Sequence, residues 1–412
     1  MDSPTIMSLS IPARRVVAFD EVAGLGREAL VRAAEAAHAE GEPLAVDYAV
    51  GAEGESLTSV NATLALAVDL YDRFGAVPRV RYLRAGLERF RWTFEERLRA
   101  AAGPQKLIMN VTYVCNNRCT FCAVGTRTQV DGHPERQREH LEKYRAMGVR
   151  MVDFDGGEPT LNPELIALVR YARSLGYDRI NVTSNGRMCF YEGYARDLVR
   201  SGLTTLLFSV HGADARTHAQ QVGVAEAFEQ TVGGIRHARR HAPADVELGM
   251  NVTVTKGNHR QLDALVALAW GLGLRWVNLQ FLTPFGRATT WVAPDTQVAA
   301  DEAMRVIDRW GERVKFQVIN LPFCFMPGYE RFMVGDLQKL QRRMVFVNND
   351  DVNLADYLAA QRVKKTVCDA CPHAVFCGGF YELHDAPEAP WIVRPEDLVR
   401  PVFKRPAEES AG

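Results

Sequence analysis

The chain is expected to be an α/β protein built on a partial (β/α)6 barrel, with a small N-terminal α/β unit and a cysteine-rich C-terminal domain. Three observations predict this. Between residues 106 and 286, six short β-rich runs alternate with helical patterns at a spacing of mostly ~25–40 residues, the size of a repeated βα unit. The runs, at 107–113, 151–155, 180–183, 205–210, 247–254 and 276–281, are nearly continuous in apolar residues, as in parallel strands buried on both faces. Texture changes on either side: residues 1–103 contain no cysteine, whereas residues 287–412 contain four of the eight.

Residues 1–103 are rich in Ala, Arg and Glu. Apolar residues three and four apart predict helices over 25–39, 57–74 and 87–101, with short strands at 45–50 and 77–82 between them. This unit is either a substrate-binding appendage or a packing cap over the barrel. Residues 104–286 form the barrel, with function expected at the C-terminal ends of its strands by analogy with full barrels. After Gly286 the βα rhythm is expected to stop, giving a separate C-terminal domain over 287–403 and a polar tail over 404–412.

The 412 residues can bury a large core, and 47% hydrophobic with 24% charged residues is ordinary for a globular protein. A formal net charge of −1 leaves no electrostatic footprint for nucleic acid or an anionic membrane. No apolar run approaches the ~18 residues of a transmembrane helix. Met1-Asp2-Ser3-Pro4 lacks a basic stretch leading into an apolar core, so no secretory signal is expected. Eight cysteines in such a chain point to metal or redox use in a reducing compartment, hence a cytoplasmic protein.

The chemistry is concentrated in Cys115-Asn116-Asn117-Arg118-Cys119-Thr120-Phe121-Cys122, a CxxxCxxC loop after the first barrel strand. Three soft thiolates this close can hold three irons of a [4Fe–4S] cluster and leave the fourth open. A zinc knuckle is the alternative, but structural zinc closes with four ligands and no fourth Cys or His lies at such spacing. The second strand ends in Gly156-Gly157-Glu158-Pro159, where two glycines let the backbone approach a ligand closely. The third ends in Thr183-Ser184-Asn185-Gly186. Ser209 and Asn251 are polar positions in the apolar runs of the fourth and fifth strands, and buried polar groups need partners.

CxxxCxxC with an aromatic before its third cysteine, followed some 35 residues later by GGEP, resembles the signature of the radical S-adenosylmethionine (radical SAM) superfamily. The resemblance covers about 106–286 and implies the partial (β/α)6 barrel. It implies that Cys115, Cys119 and Cys122 ligate a [4Fe–4S] cluster whose open iron binds the amino and carboxylate groups of SAM. It places Phe121 beside the adenine, gives Gly156, Gly157 and Glu158 the amino group, and leaves Ser184, Asn185, Ser209 and Asn251 for the rest of SAM. Relatives often follow S-[LV]-[DH]-G, here Ser209-Val210-His211-Gly212, with His-Asp-x-x-Arg. This chain has His218-Ala219-Gln220-Gln221-Val222 instead, which removes a common SAM-carboxylate arginine, and that role is not assigned. His211 should face the barrel mouth and is the candidate acid–base residue. Pro284-Phe285-Gly286-Arg287-Ala288 resembles the exit from the core in relatives that carry a further domain.

Cys324, Cys368, Cys371 and Cys377 supply four thiolates, a complete ligand set for a second [4Fe–4S] cluster. They resemble the auxiliary-cluster region called twitch, a short form of the SPASM extension. Structural zinc, with His373 or His384 replacing one thiolate, is the alternative. Cys189 has no paired spacing and reads as a small buried hydrophobe. No cobalamin signature, G-x-G-x-x-G or Walker loop is present.

The expected activity is reductive SAM cleavage and hydrogen abstraction from an unactivated C–H bond of a ribosomally made peptide, which the N-terminal unit would hold. A small molecule in cofactor, sugar or antibiotic biosynthesis is the alternative substrate. The resemblance also implies an electron donor such as flavodoxin or ferredoxin. A non-catalytic iron–sulfur scaffold or redox sensor is the reading from another class. It would be expected to have lost a loop cysteine or a GGEP glycine, and this chain keeps both.

Overall fold

The computed structural model describes residues 15–19, 27–40, 44–83, 103–335, 339–365, 368 and 377–384. The helix expected over 87–101, Cys371 and the tail over 404–412 lie outside the described residues.

The N-terminal unit is a parallel three-stranded sheet in the order β1-β2-β3, formed by β1 (Arg15–Phe19), β2 (Leu44–Val50) and β3 (Val77–Tyr82). Its crossovers are α1 (Arg27–Ala39) and α2 (Leu57–Phe74). Ser56 caps α2 by accepting from the Ser59 amide, and Gly75 ends it with φ at 67°. Val60, Leu64, Ala67 and Tyr71 form its buried stripe. Tyr71 continues the contact outward: its hydroxyl donates to Gln341 Oε1 at 3.2 Å, and the Gln341 carbonyl also accepts from Gln105 and Lys106. The unit thus meets the main sheet near the N-terminal ends of its strands.

The main sheet has nine strands. Its expected six, β4 (Lys106–Thr112), β5 (Met151–Gly156), β6 (Arg179–Ser184), β7 (Thr205–Ser209), β8 (Glu247–Thr253) and β9 (Trp276–Gln280), pair in sequence order, all parallel. Helices α3 (Pro134–Ala146), α4 (Leu165–Ser174), α5 (Glu192–Val199), α6 (Ala215–Val222), α7 (Ala227–His241) and α8 (Leu262–Gly271) fill the crossovers. This is the mixed α/β architecture of a partial β/α barrel. Among the described residues no helix is long and apolar enough to cross a membrane.

Two expectations are corrected. The βα rhythm does not stop at Gly286: α9 (Thr296–Trp310) leads into β10 (Lys315–Ile319), which adds to β9 in parallel. The chain then crosses to the opposite edge, where β11 (Arg342–Val345) pairs in parallel with β4 and β12 (Asp351–Asn353) adds antiparallel. Residues beyond 286 therefore share the core sheet. Nor is the sheet apolar on both faces. Leu107, Met109, Phe154, Val182, Phe208 and Leu279 are fully buried in the main hydrophobic cluster. The alternate positions Asn110, Asp153, Asp155, Asn181, Ser209, Asn251, Asn278 and Gln280 give the inner face a polar lining.

Helix α10 (Leu354–Ala359) covers part of that inner face. Leu354 and Leu358 pack on Ile108, with Met344 and Phe285 beside them. The short strands β13 (Arg362–Val363) and β14 (Phe380–Tyr381) pair antiparallel next to Gly379, whose φ is 90° and whose Cβ would stand 2.4 Å from the Val363 carbonyl oxygen.

Candidate functional site

The cysteine loop begins where β4 ends and is anchored on three sides. Its backbone pairs with the end of α6, Arg118 N to the Val222 carbonyl and Thr120 N to the Gln221 carbonyl. Arg187 reaches in from the turn after β6. It donates to the Asn116 carbonyl and to Asn117 Oδ1, while its Nε holds Gln230. From the third side, Arg287 N donates to the Cys122 carbonyl at 2.9 Å. Gly286 allows that approach: its φ is 63°, and a Cβ there would stand 2.3 Å from the Cys122 carbonyl oxygen. The Pro284–Ala288 segment, expected only as an exit from the core, is thus a clamp on the cysteines.

The three thiols fit an iron–sulfur cluster. Burial pushes all three pKa values up, Cys115 to about 11, and a negative Cys119 would be repelled further by Cys122 and Cys115. Such a set needs a cationic core to be ionised together. Backbone amides already point at sulfur, as from Asn117 to Cys115 Sγ at 3.4 Å. No His, Cys, Asp or Glu group of three or more among the described residues could hold a single metal ion. A cuboidal cluster takes one thiolate per iron, and the loop supplies three. Cys115, Cys122 and Gly157 line one cavity of about 330 Å³ together with Arg118, Arg127 and Arg287.

The GGEP turn differs from expectation in what its parts touch. Gly156 has φ at 134°, and its Cβ would lie 2.2 Å from the Thr112 carbonyl oxygen. A Cβ on Gly157 would lie 2.5 Å from that of Val114. Both glycines are thus required by the close approach of β5 to the end of β4. Glu158 is 1% exposed and points into protein. Its Oε1 accepts from Thr160 N, Thr160 Oγ1 and Ser184 Oγ, and its Oε2 accepts from Asn185 N at 2.6 Å. Burial raises its pKa against the pull of these donors. Ser184 is consumed in the same network, and Asn185 Nδ2 donates to Asn116 Oδ1 at 2.6 Å. These three expected SAM ligands are brought together, but their side chains brace the turn and the cysteine loop.

Ser209 and Asn251 are register partners on β7 and β8, half-buried on the inner face. Phe121 packs with Leu282 and Leu383, its ring 4.8 Å from that of His211 in an edge contact. His211 does not suit acid–base work. Its Nδ1 accepts from Thr253 N at 3.1 Å, so Nε2 carries the proton, and burial pulls its pKa down to about 3, helped by His218. His218 Nδ1 in turn accepts from His211 N. His211 is a fixed neutral N–H donor. Cys189 is fully buried, as expected of a small hydrophobe. Cys324, Cys368 and Cys377 pack against the main hydrophobic cluster. Sequence reasoning missed the roles of Arg187, which directly follows Thr183–Gly186, and of Arg287, which lies within Pro284–Ala288, because each acts across the fold.

Residues 109–268 match the family model described as Radical SAM superfamily. These residues are a radical SAM domain. The chain is similar to an AdoMet-dependent heme synthase of Methanosarcina barkeri, 27% identical over 239 residues, 57% of this chain and 66% of that protein. It is also similar to a probable GTP 3′,8-cyclase of Saccharolobus solfataricus, 29% identical over 228 residues, 55% of this chain and 70% of that protein. The matches span between about half and seven tenths of the length of such relatives. Among solved structures, Streptococcus suis SuiB bound to S-adenosylmethionine has the same fold at 16% identity. Its TM-score is 0.57, covering 71% of this chain and 79% of SuiB. The family implies a [4Fe–4S] cluster and SAM; the three loop thiols fit the cluster, and Gly157 of the turn lines the same cavity as Cys115 and Cys122.

Proposed function

We propose that this chain is a radical SAM enzyme that reductively cleaves SAM and abstracts hydrogen from an unactivated C–H bond. The observation that carries the reading is the shared cavity: loop cysteines Cys115 and Cys122 and Gly157 of the turn after β5 line one space. A [4Fe–4S] cluster on Cys115, Cys119 and Cys122 supplies the electron for that cleavage. The chain's own residues hold and shield. The backbone of Gly156 and Gly157 would take the SAM amino group, Ser209 and Asn251 would offer hydrogen bonds to its ribose and carboxylate, and Phe121 would cover the adenine. His211 holds its proton at Nε2 and positions by donation. Phe121, Leu282 and Leu383 exclude water from the mouth.

The division into 1–103, 104–286 and 287–403 serves this reading as appendage, core and auxiliary region, although the last two share a sheet. Cys324, Cys368, Cys371 and Cys377 are assigned to a second, twitch-like [4Fe–4S] cluster that exchanges electrons with the substrate, and a flavodoxin or ferredoxin to reduction of the first. The substrate is assigned as a small polar molecule. The N-terminal unit meets the sheet at the end opposite the C-terminal strand ends, a poor station for a leader peptide, and the inner face offers amide side chains. The relatives named for heme synthesis and GTP cyclisation also favour that class. A peptide substrate is the second reading. It is favoured by the likeness to SuiB bound to its precursor peptide SuiA, at TM-score 0.56 and 15% identity over 79% of this chain and 83% of that one.

The test is anaerobic incubation of reconstituted protein with SAM, dithionite and a fractionated extract of the source cells. Stimulation of 5′-deoxyadenosine formation by the small-molecule fraction supports the first assignment. Stimulation by the peptide fraction alone replaces it with the second.

A further inference from the structure

The turn after β5 holds two carboxylates with opposite surroundings. Both oxygens of Glu158 are occupied, by Thr160, Ser184 and Asn185, and its side chain is enclosed. Asp155 stands three residues earlier on the inner face. Its orientation follows from its neighbours: Phe154 is fully buried toward the helices, so Asp153 and Asp155 point the other way. Asp153 confirms the direction, bonding Lys106 Nζ at 2.6 Å and Asn181 Nδ2 at 2.8 Å, both from inner-face positions. That pairing also commits the nearest cation, Lys106, to Asp153. Among the described residues, Asp155 accepts one hydrogen bond only, from its neighbour Gly156 N to Oδ1 at 3.2 Å.

We infer that Asp155, in place of Glu158, supplies the side-chain acceptor for the amino group of SAM. The inference rests on the SAM site proposed above. The Gly156–Gly157 backbone assigned to that amino group begins one bond from Asp155, so this is the carboxylate adjoining the glycines on the inner face. Chemistry favours the pairing, since burial and the adjacent Asp153 raise the Asp155 pKa to about 6, and a donated N–H relieves what both impose. The competing account is a hydrated carboxyl with no ligand.

Titration calorimetry of the reconstituted full chain separates these accounts. The two probes are S-adenosylhomocysteine, which carries the amino-acid end, and 5′-methylthioadenosine, which lacks it. Asp155→Ala should weaken S-adenosylhomocysteine binding by about ten- to a hundredfold, the range of a hydrogen bond to a charged group. Binding of 5′-methylthioadenosine should not change, and that also shows that the variant is folded. Asp155→Asn, which keeps an acceptor without the charge, should fall between. Equal S-adenosylhomocysteine affinity in Asp155→Ala and the unaltered chain, or equal loss of both ligands, overturns the inference and leaves the SAM site standing. If the unaltered chain binds neither ligand, the site reading fails and the inference with it.

Discussion

Replacing Glu158 by Gln tests whether this carboxylate is a brace or a ligand. The side chain accepts hydrogen bonds on both oxygens, and only one oxygen survives in an amide. In one orientation the new NH2 faces Asn185 N, where the present bond is 2.6 Å. In the other it faces Ser184 Oγ and the Thr160 donors. Either way a buried donor loses its acceptor, at a cost of about 1–3 kcal/mol. The consequence reaches the cysteine loop, because Asn185 also donates to Asn116. Glu158→Ala leaves all of these donors without an acceptor and should cost more. The assay is urea unfolding of the cluster-free protein followed by circular dichroism. Both variants should show a lower midpoint at an unchanged slope, Ala below Gln. Loss of SAM affinity should accompany the loss of stability. A Glu158→Gln protein that unfolds like the unaltered one yet no longer binds SAM would return the carboxylate to the ligand set.

Other parts of the site make separate predictions. Arg187→Met removes the side chain that ties Asn116 and Asn117 to Gln230, and outer contacts of this kind are worth about 10–100-fold in metal affinity or activity. Iron retained after reconstitution and 5′-deoxyadenosine formation should both fall, with Arg187→Lys restoring little because it lacks the fork. His211 has its folded pKa lowered from 6.5 to about 3, so it stays neutral wherever the enzyme is assayed. The rate of 5′-deoxyadenosine formation in His211→Asn should keep the shape of the unaltered pH profile between about pH 6 and 8.5, at a lower plateau. An inflection lost in the variant would restore an acid–base role. The same shift has a stability sign: because the unfolded chain takes up this proton and the folded one does not, His211 disfavours folding as pH falls from about 6.5 toward 3. Anaerobically reconstituted protein should hold about eight irons, and the Cys115, Cys119 and Cys122 triple Ala variant about half, if both clusters are of the four-iron type. Zinc in place of the residual iron would remove the auxiliary cluster.

The six barrel strands were legible because each is a short apolar run between helical patterns, a signal of local composition. β10 and β11 were not. Lys315–Ile319 carries only two buried apolar side chains, and Arg342–Val345 opens with two arginines, so neither stands out until the sheet edges it completes are known. The cysteine loop and the glycine turn were legible as spacing, but what the glycines do was not. Their need arises from the carbonyls of Thr112 and Val114 on the neighbouring strand. Glu158 shows the same limit. Its type and position match the family motif, while its direction depends on Ser184 and Asn185, which arrive from another strand. Arg187 and Arg287 contact the cysteine loop from far along the chain, and the motifs beside them, Thr183–Gly186 and Pro284–Ala288, do not say what the arginines touch.

Cys115, Cys119 and Cys122 are proposed to make this barrel a SAM-cleaving site. The most direct test of this is chromatographic measurement of 5′-deoxyadenosine after anaerobic incubation of reconstituted, dithionite-reduced protein with SAM. The unaltered chain should form 5′-deoxyadenosine, and the triple Ala variant, which should keep its fold by circular dichroism, should form none. No 5′-deoxyadenosine from the unaltered, cluster-loaded chain, or equal amounts from both proteins, would contradict it.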